Sequence, residues 1–193
     1  MGNQVNLIGN IVTDLSLNHS LYGESFYYTS ISVIRDSGRA DVVPVMVSDR
    51  LLDVNKSYKG RRVYVVGELR TYNQHDEDKN RLRLYVFANE LCIIDDSKDV
   101  NDVFLEGYIC KQPTYRHTPM GREITDVILA VNRAYGKSDY IPCVLWGRTA
   151  YYARSLSVGS CIRVAGRIQS REYTKGGETK TAYELSVNLM EVC

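Results

Sequence analysis

The chain has 193 residues, 44% apolar and 24% charged, with a formal net charge of +1. That composition suits an ordinary folded protein with room for two domains of roughly 100 residues, and it excludes a disordered or fibrous chain. No run reaches the roughly 18 apolar residues of a membrane span, and M-G-N-Q-V-N has neither a leader's apolar stretch nor a myristoylation pattern, so the expected compartment is the cytoplasm.

A first strand is predicted over N-Q-V-N-L-I-G-N-I (Asn3 to Ile11), with Val5 and Leu7 inward and Gln4, Asn6, Ile8 and Asn10 outward. Strand-like runs at about 25–35 and 41–48 form a hairpin. The stretch L-L-D-V-N-K-S-Y reads as a short helix, and two alternating strands joined by a polar turn follow it. The polar, acidic D-D-S-K-D-V-N (Asp95 to Asn101) then reads as a linker.

Beyond the linker the same order returns. N-D-V-F-L-E-G-Y-I (Asn101 to Ile109) matches the opening strand, and L-A-V-N-R matches I-S-V-I-R. Y-I-P-C-V-L-W-G matches V-V-P-V-M-V-S-D, and V-G-S-C-I-R-V-A-G-R-I matches K-G-R-R-V-Y-V-V-G-E-L. T-A-Y-Y-A-R-S-L supplies the second helical stretch. A fixed offset between units is the mark of a tandem duplication. The expected domains are 1–95 and 101–193, with 96–100 between them. Five strands with one helix between the third and fourth give the OB-fold order, hence an all-β protein of tandem five-stranded Greek-key barrels with one short helix per unit.

Chemistry-bearing motifs are sparse. Cys92, Cys110, Cys143, Cys161 and Cys193 show no C-x-x-C spacing, and four of them lie in strand-like segments as expected buried hydrophobes. His19, His75 and His117 sit far apart in polar stretches. No nucleophile elbow, zinc-helix motif or phosphate-cradling loop occurs. Neither an enzyme nor a metal or cofactor site is expected.

The informative feature is the third strand of the second unit. Ile141, Cys143 and Leu145 make a core row, so Tyr140, Pro142, Val144 and Trp146, the single tryptophan, face outward. Tyr135 falls at the hairpin tip before them. In the fourth strand Ile162, Val164 and Ile168 point inward, leaving Arg163, Arg167, Gln169, Arg171 and Tyr173 on the wet side. Aromatic rings interleaved with arginines on an exposed OB face suit bases that stack and phosphates that are neutralised.

The run L-A-V-N-R…Y-I-P-C-V-L-W-G-R-T-A…L-S-V-G-S-C-I-R-V-A-G-R-I-Q-S-R-E-Y resembles the bacterial single-stranded DNA-binding proteins over nearly all of the second unit. The resemblance implies that Tyr135, Tyr140, Trp146 and Tyr173 stack bases, that Arg148 and Arg171 line the DNA path, and that Arg116 and Arg133 are further basic positions. Arg167 joins them from the strand pattern. It also implies roles in replication, repair or recombination, and a homodimer presenting four barrels. The chain ends at Met190-Glu191-Val192-Cys193 without the acidic tail typical of that family. The alternatives are a primosomal OB protein that bridges replication proteins, or a protein-interaction module.

The first unit resembles the family in framework alone. Where the second unit has its four aromatics it carries Ser37, Val42, Ser48 and Gln74, and its last hairpin holds Asp76, Glu77 and Asp78. The second unit is therefore the expected main binding face.

Overall fold

The computed structural model describes residues 2–76 and 79–193, without the side chains of 74–81 and 175. The Asp76–Asp78 carboxylates and Gln74 expected to weaken the first unit thus lie outside the described residues. The chain divides into two compact units. One comprises Gln4–Leu69 and Tyr85–Asp102, the other Val103–Cys193 with Met1–Asn3 and Arg70–Leu84. No helix among the described residues is long and apolar enough to cross a membrane.

The N-terminal repeat supplies β1 (Asn3–Ile11), β2 (Ser16–Leu21), β3 (Glu24–Ile34), β4 (Ala40–Ser48), β5 (Arg62–Asp76) and β6 (Lys79–Ile93). Their sheet order is β2-β3-β4-β6-β5-β1, and β1 also pairs with β3, which closes a barrel. The C-terminal repeat supplies β7 (Val100–Ile109), β8 (Thr114–His117), β9 (Glu123–Asn132), β10 (Ser138–Trp146), α1 (Gly147–Ala153), β11 (Cys161–Lys175) and β12 (Glu178–Val192). The order β7-β11-β12-β10-β9-β8, with β7 returning to β9, repeats the first. Each repeat is an OB barrel. Its interior is the row that alternation dictates: Val5, Leu7 and Ile11 in β1, Ile141 and Leu145 in β10, and Ile162, Val164 and Ile168 in β11 are all buried. Each such aliphatic side chain contributes about 1.5–3 kcal/mol.

Three expectations change. Each barrel has six strands, because β2 and β8 add short edge strands beside β3 and β9. All six residues of β2 are exposed, so no apolar period betrays it in the sequence. Its hairpin is closed by Tyr22 and Gly23, both at positive φ (50° and 78°), the backbone a tight two-residue turn requires.

The helix expected in the first repeat is replaced by consecutive turns, whereas the second repeat forms α1. Asp53 explains the difference. Its carboxylate accepts from the Asn55 N–H at 3.1 Å and pairs with Lys56 at 3.3 Å, and these contacts, the Asn55 bond first, lower its pKa. Such side-chain bonds give the backbone a local alternative to the helical ladder.

The cysteines also differ: only Cys143 is buried, Cys161 is half-buried, and Cys92, Cys110 and Cys193 are exposed. Cys110 lies just past the end of β7, and Cys92 near the end of β6, where strands leave the core. Burial pushes the Cys143 thiol far above its ordinary pKa.

Recurrent strand glycines have a steric cause. A Cβ on Gly9 would lie 2.3 Å from the Ser32 carbonyl oxygen, and one on its counterpart Gly107 2.5 Å from that of Ala130. Gly67 and Gly166 meet the Phe87 and Ser186 carbonyl oxygens at 2.3 and 2.1 Å. The β11–β12 register also shifts between Ala165 and Gly166, so the strand bends where another backbone closes on it. Gly166→Ala is expected to cost about 1–3 kcal/mol or more, read as a lowered urea midpoint.

Candidate nucleic-acid interface

The face is fixed by register. Along β10 and β9, Tyr140 opposes Ala130, Pro142 opposes Ile128, Val144 opposes Asp126 and Trp146 opposes Ile124. On the far side of β9, Ile124 opposes Arg116 of β8. In the other direction Val144 opposes Ser186 of β12, which opposes Arg167 of β11. Directly opposed residues share a face, so Arg116, Tyr140, Trp146, Ser186 and Arg167 lie on one side of the barrel. Alternation along β11 adds Gln169, Arg171 and Tyr173.

The aromatic row is less wet than the pattern suggested. Val144 is 5% exposed and Pro142 is half-buried, making a shallow apolar floor between Tyr140, 49% exposed, and the half-buried Trp146. The Trp146 indole N–H donates to the Ser186 hydroxyl at 3.0 Å, which fixes the ring's edge. Tyr135 stands apart. It is fully exposed at the tip of the β9–β10 connection with φ 63°, a left-handed conformation unusual for a bulky residue, immediately before Gly136 at φ 69°. Tyr173 lies near the outer end of β11, opposite Lys180, and is partly exposed.

The arginines divide by their partners. Arg116 pairs with Asp126 at 2.6 Å, and this hydrogen bond raises its pKa. Arg171 lies 3.7 Å from Glu184, a carboxylate that also accepts from Gln169 at 2.8 Å. The Arg167 guanidinium reaches Gln169 at 3.4 Å. Arg148 is exposed on α1 and has no carboxylate partner among the described residues. Arg163 does not join this face: β11 pairs with β7 there, and the guanidinium is tied to Glu106 and Glu191 at 2.7 and 3.3 Å.

Arg133 is held differently from the other arginines. Its Nε lies 2.7 Å from the Asp139 carboxylate, which is wholly buried. The other Asp139 oxygen accepts from the Thr71 backbone N–H at 2.7 Å and the Thr71 hydroxyl at 3.2 Å. The Thr71 hydroxyl in turn accepts from the Tyr140 N–H at 3.1 Å. Arg133 therefore belongs to the frame that holds the Tyr135–Tyr140 segment, its charge spent on a buried carboxylate. Sequence pattern missed this clasp because Thr71 lies 68 residues from Asp139. The internal repeat held one clue: Arg35 and Asp41 stand at the matching positions and form the same pair at 2.5 Å.

The first barrel arranges its corresponding face differently. Ser48, at the Trp146 position, is buried and donates to Glu24 at 2.5 Å. Arg50, at the Arg148 position, pairs with the same Glu24 at 3.2 Å. Ser37 and Val42 are exposed, and neither offers a ring. Aromatics are also present on β3 and β6. Phe26 of β3 packs against His19 (4.8 Å, stacked) and Phe87 of β6 (5.9 Å), and Tyr28 meets Tyr85 edge-on at 5.9 Å. Position-by-position matching to the second unit could not find them, since their counterparts there are Ile124, Asp126, Glu184 and Ser186.

Comparison with known proteins decides the lineage. The model of the "Single-strand binding protein family" matches twice, over residues 2–94 and 100–193. The chain belongs to the single-strand binding protein family. Similar members include the single-stranded DNA-binding protein of Bacillus cereus, 38% identical over 95 residues, 46% of this chain and 55% of that protein. Single-stranded DNA-binding protein B of Bacillus subtilis is 40% identical over 80 residues, 38% of this chain and 71% of that protein. The match therefore spans about half the length of the Bacillus cereus relative. The wild-type single-stranded DNA binding protein of Thermus aquaticus superposes with a TM-score of 0.80 at 20% identity, covering 99% of this chain and 92% of that one. That likeness extends the fold of a single-strand binding protein over both OB barrels of this chain.

Proposed function

We propose that this protein binds single-stranded DNA with little sequence preference, without catalysis, in replication, repair or recombination. Its two domains would be 1–95 and 101–193, with the second barrel as the main binding face. Bases would stack on Tyr135, Tyr140, Trp146 and Tyr173, while Arg148, Arg167, Arg171 and Arg116 meet phosphates. The observation that carries the reading is the β10 row, in which a ring stands at each end of an apolar floor and arginines from β8 and β11 border it. Each stacked base contributes roughly 1–3 kcal/mol whatever its identity, which is why such a face tolerates sequence.

The first barrel's arrangement supports the asymmetry. Its Trp146 and Arg148 counterparts are both committed to Glu24, and Phe26 packs on His19 and Phe87. Titration with oligo-dT tests the binding. Trp146, the single tryptophan, should lose fluorescence, and the logarithm of the affinity should fall linearly with that of salt as counterions return to the phosphates. Absence of both quenching and binding would overturn the proposal.

We further infer a homodimer with four barrels, so that one strand engages several faces and gains avidity without new contacts. Phe104 and Tyr108, exposed on the outward row of β7, support a contact surface there. Sedimentation equilibrium at micromolar concentration should give twice the chain mass; the mass of one chain would contradict it.

A further inference from the structure

A second group of rings and cations lies around α1, joined to the face described above through Arg148. Arg148, Tyr151 and Tyr152 share one side of this helix by their spacing of three and four, while Ala150 and Ala153 are buried beneath. Tyr151 and Tyr152 are each more than half exposed. At the helix end Arg154 places its guanidinium carbon 3.7 Å from the centre of the Tyr151 ring and 5.4 Å from that of Tyr115 on β8. The imidazole of His117 stands edge-on to Tyr115 at 5.5 Å. Arg154, like Arg148, has no carboxylate partner among the described residues. The Glu123 carboxylate is instead engaged by the Tyr115 hydroxyl at 2.5 Å.

This group adjoins the stacking face in two ways. The chain passes from Trp146 at the end of β10 directly into α1. Trp146, Ile124 and Arg116 form one row across β10, β9 and the edge strand β8. Tyr115 and His117, the chain neighbours of Arg116, point to the opposite side of β8 and lead to Arg154. A strand crossing the Trp146–Arg116 row thus meets this group at the rim.

We propose that the α1–β8 rim is a second single-stranded DNA subsite, where a strand leaving Trp146 passes Arg148 and stacks further bases on Tyr151 and Tyr152 beside Arg154. The inference rests on the reading of the β10 face. Charge selects the occupant. Unpaired guanidiniums beside exposed rings suit a phosphate backbone with bare bases, whereas Arg116 and Arg171 on the main face must share a phosphate with Asp126 and Glu184.

The test compares the parent with a Tyr151→Ala/Arg154→Ala variant on two oligo-dT lengths, of about five and about twenty nucleotides, within and beyond the site of a single barrel. On the short strand the variant should match the parent, with equal Trp146 quenching. On the long strand it should bind about tenfold or more weakly, with a salt slope lower by about one. Tyr151→Phe/Arg154→Lys, which keeps ring and charge, should restore most of the binding, and that recovery separates a lost contact from a damaged fold. Parent-like binding of the alanine variant at both lengths overturns the rim subsite and leaves the β10 face standing. So does an equal loss at both lengths, which would mean the main face was disturbed. No quenching by the parent at either length removes the β10 face, and the rim with it.

Discussion

Asp139→Ala should lower the unfolding free energy by about 3–5 kcal/mol, the usual cost of removing one partner from a buried ion pair. The carboxylate is wholly buried, ion-paired with Arg133 through one oxygen and accepting from Thr71 through the other. Truncation strands a guanidinium only 25% exposed and leaves the Thr71 N–H without its acceptor. Asp139→Asn keeps an acceptor for Thr71 and should cost less. Thr71→Val, which removes the hydroxyl alone, should cost about 1–3 kcal/mol. Urea unfolding of the full chain gives all three values, and an alanine variant as stable as the parent would refute the clasp. Because the Tyr140 N–H donates to the same Thr71 hydroxyl, the order of the predicted stacking segment depends on it too. A fragment beginning near residue 101 lacks Thr71. The two barrels are therefore best compared by point variants in the intact chain.

Tyr140→Ala and Trp146→Ala are each expected to weaken oligo-dT binding by roughly 1–3 kcal/mol, measured by anisotropy of a labelled strand. Trp146→Phe separates two roles of the indole. It retains a π-face but abandons the bond to Ser186, so a modest loss points to stacking and a full loss to positioning. The corresponding first-barrel changes, Val42→Ala and Ser48→Ala, remove no ring and should alter affinity little, although Ser48→Ala frees the Glu24 carboxylate from one donor. Unchanged binding in both second-barrel variants would transfer the function elsewhere on the chain.

Much of the molecule was legible in its sequence, and for one reason. A barrel strand buried on one side imposes a period of two, so Val5 and Leu7, Ile141 and Leu145, and Ile162 and Ile168 announce the core whatever they pack against. The duplication then doubled each signal, and the strand glycines recurred because a backbone closes on each of them. The missing first helix was decided locally but by side-chain bonding, in which Asp53 draws the backbone into turns. Apolar spacing does not register that competition.

The duplicated barrel and the outward row that carries Tyr140 and Trp146 follow from residue order, since alternation along a strand depends only on local backbone geometry. What the charges do is set by the folded arrangement. Arg133, Arg116, Arg171 and Arg148 are equally cationic on paper. Folding gives the first a buried carboxylate, the next two an exposed or shared one, and the last none among the described residues. Those partners arrive from other strands across the sheet, and Thr71 arrives from the other repeat. Coulombic and hydrogen-bond energies depend on separations of a few ångströms, which chain order leaves unspecified.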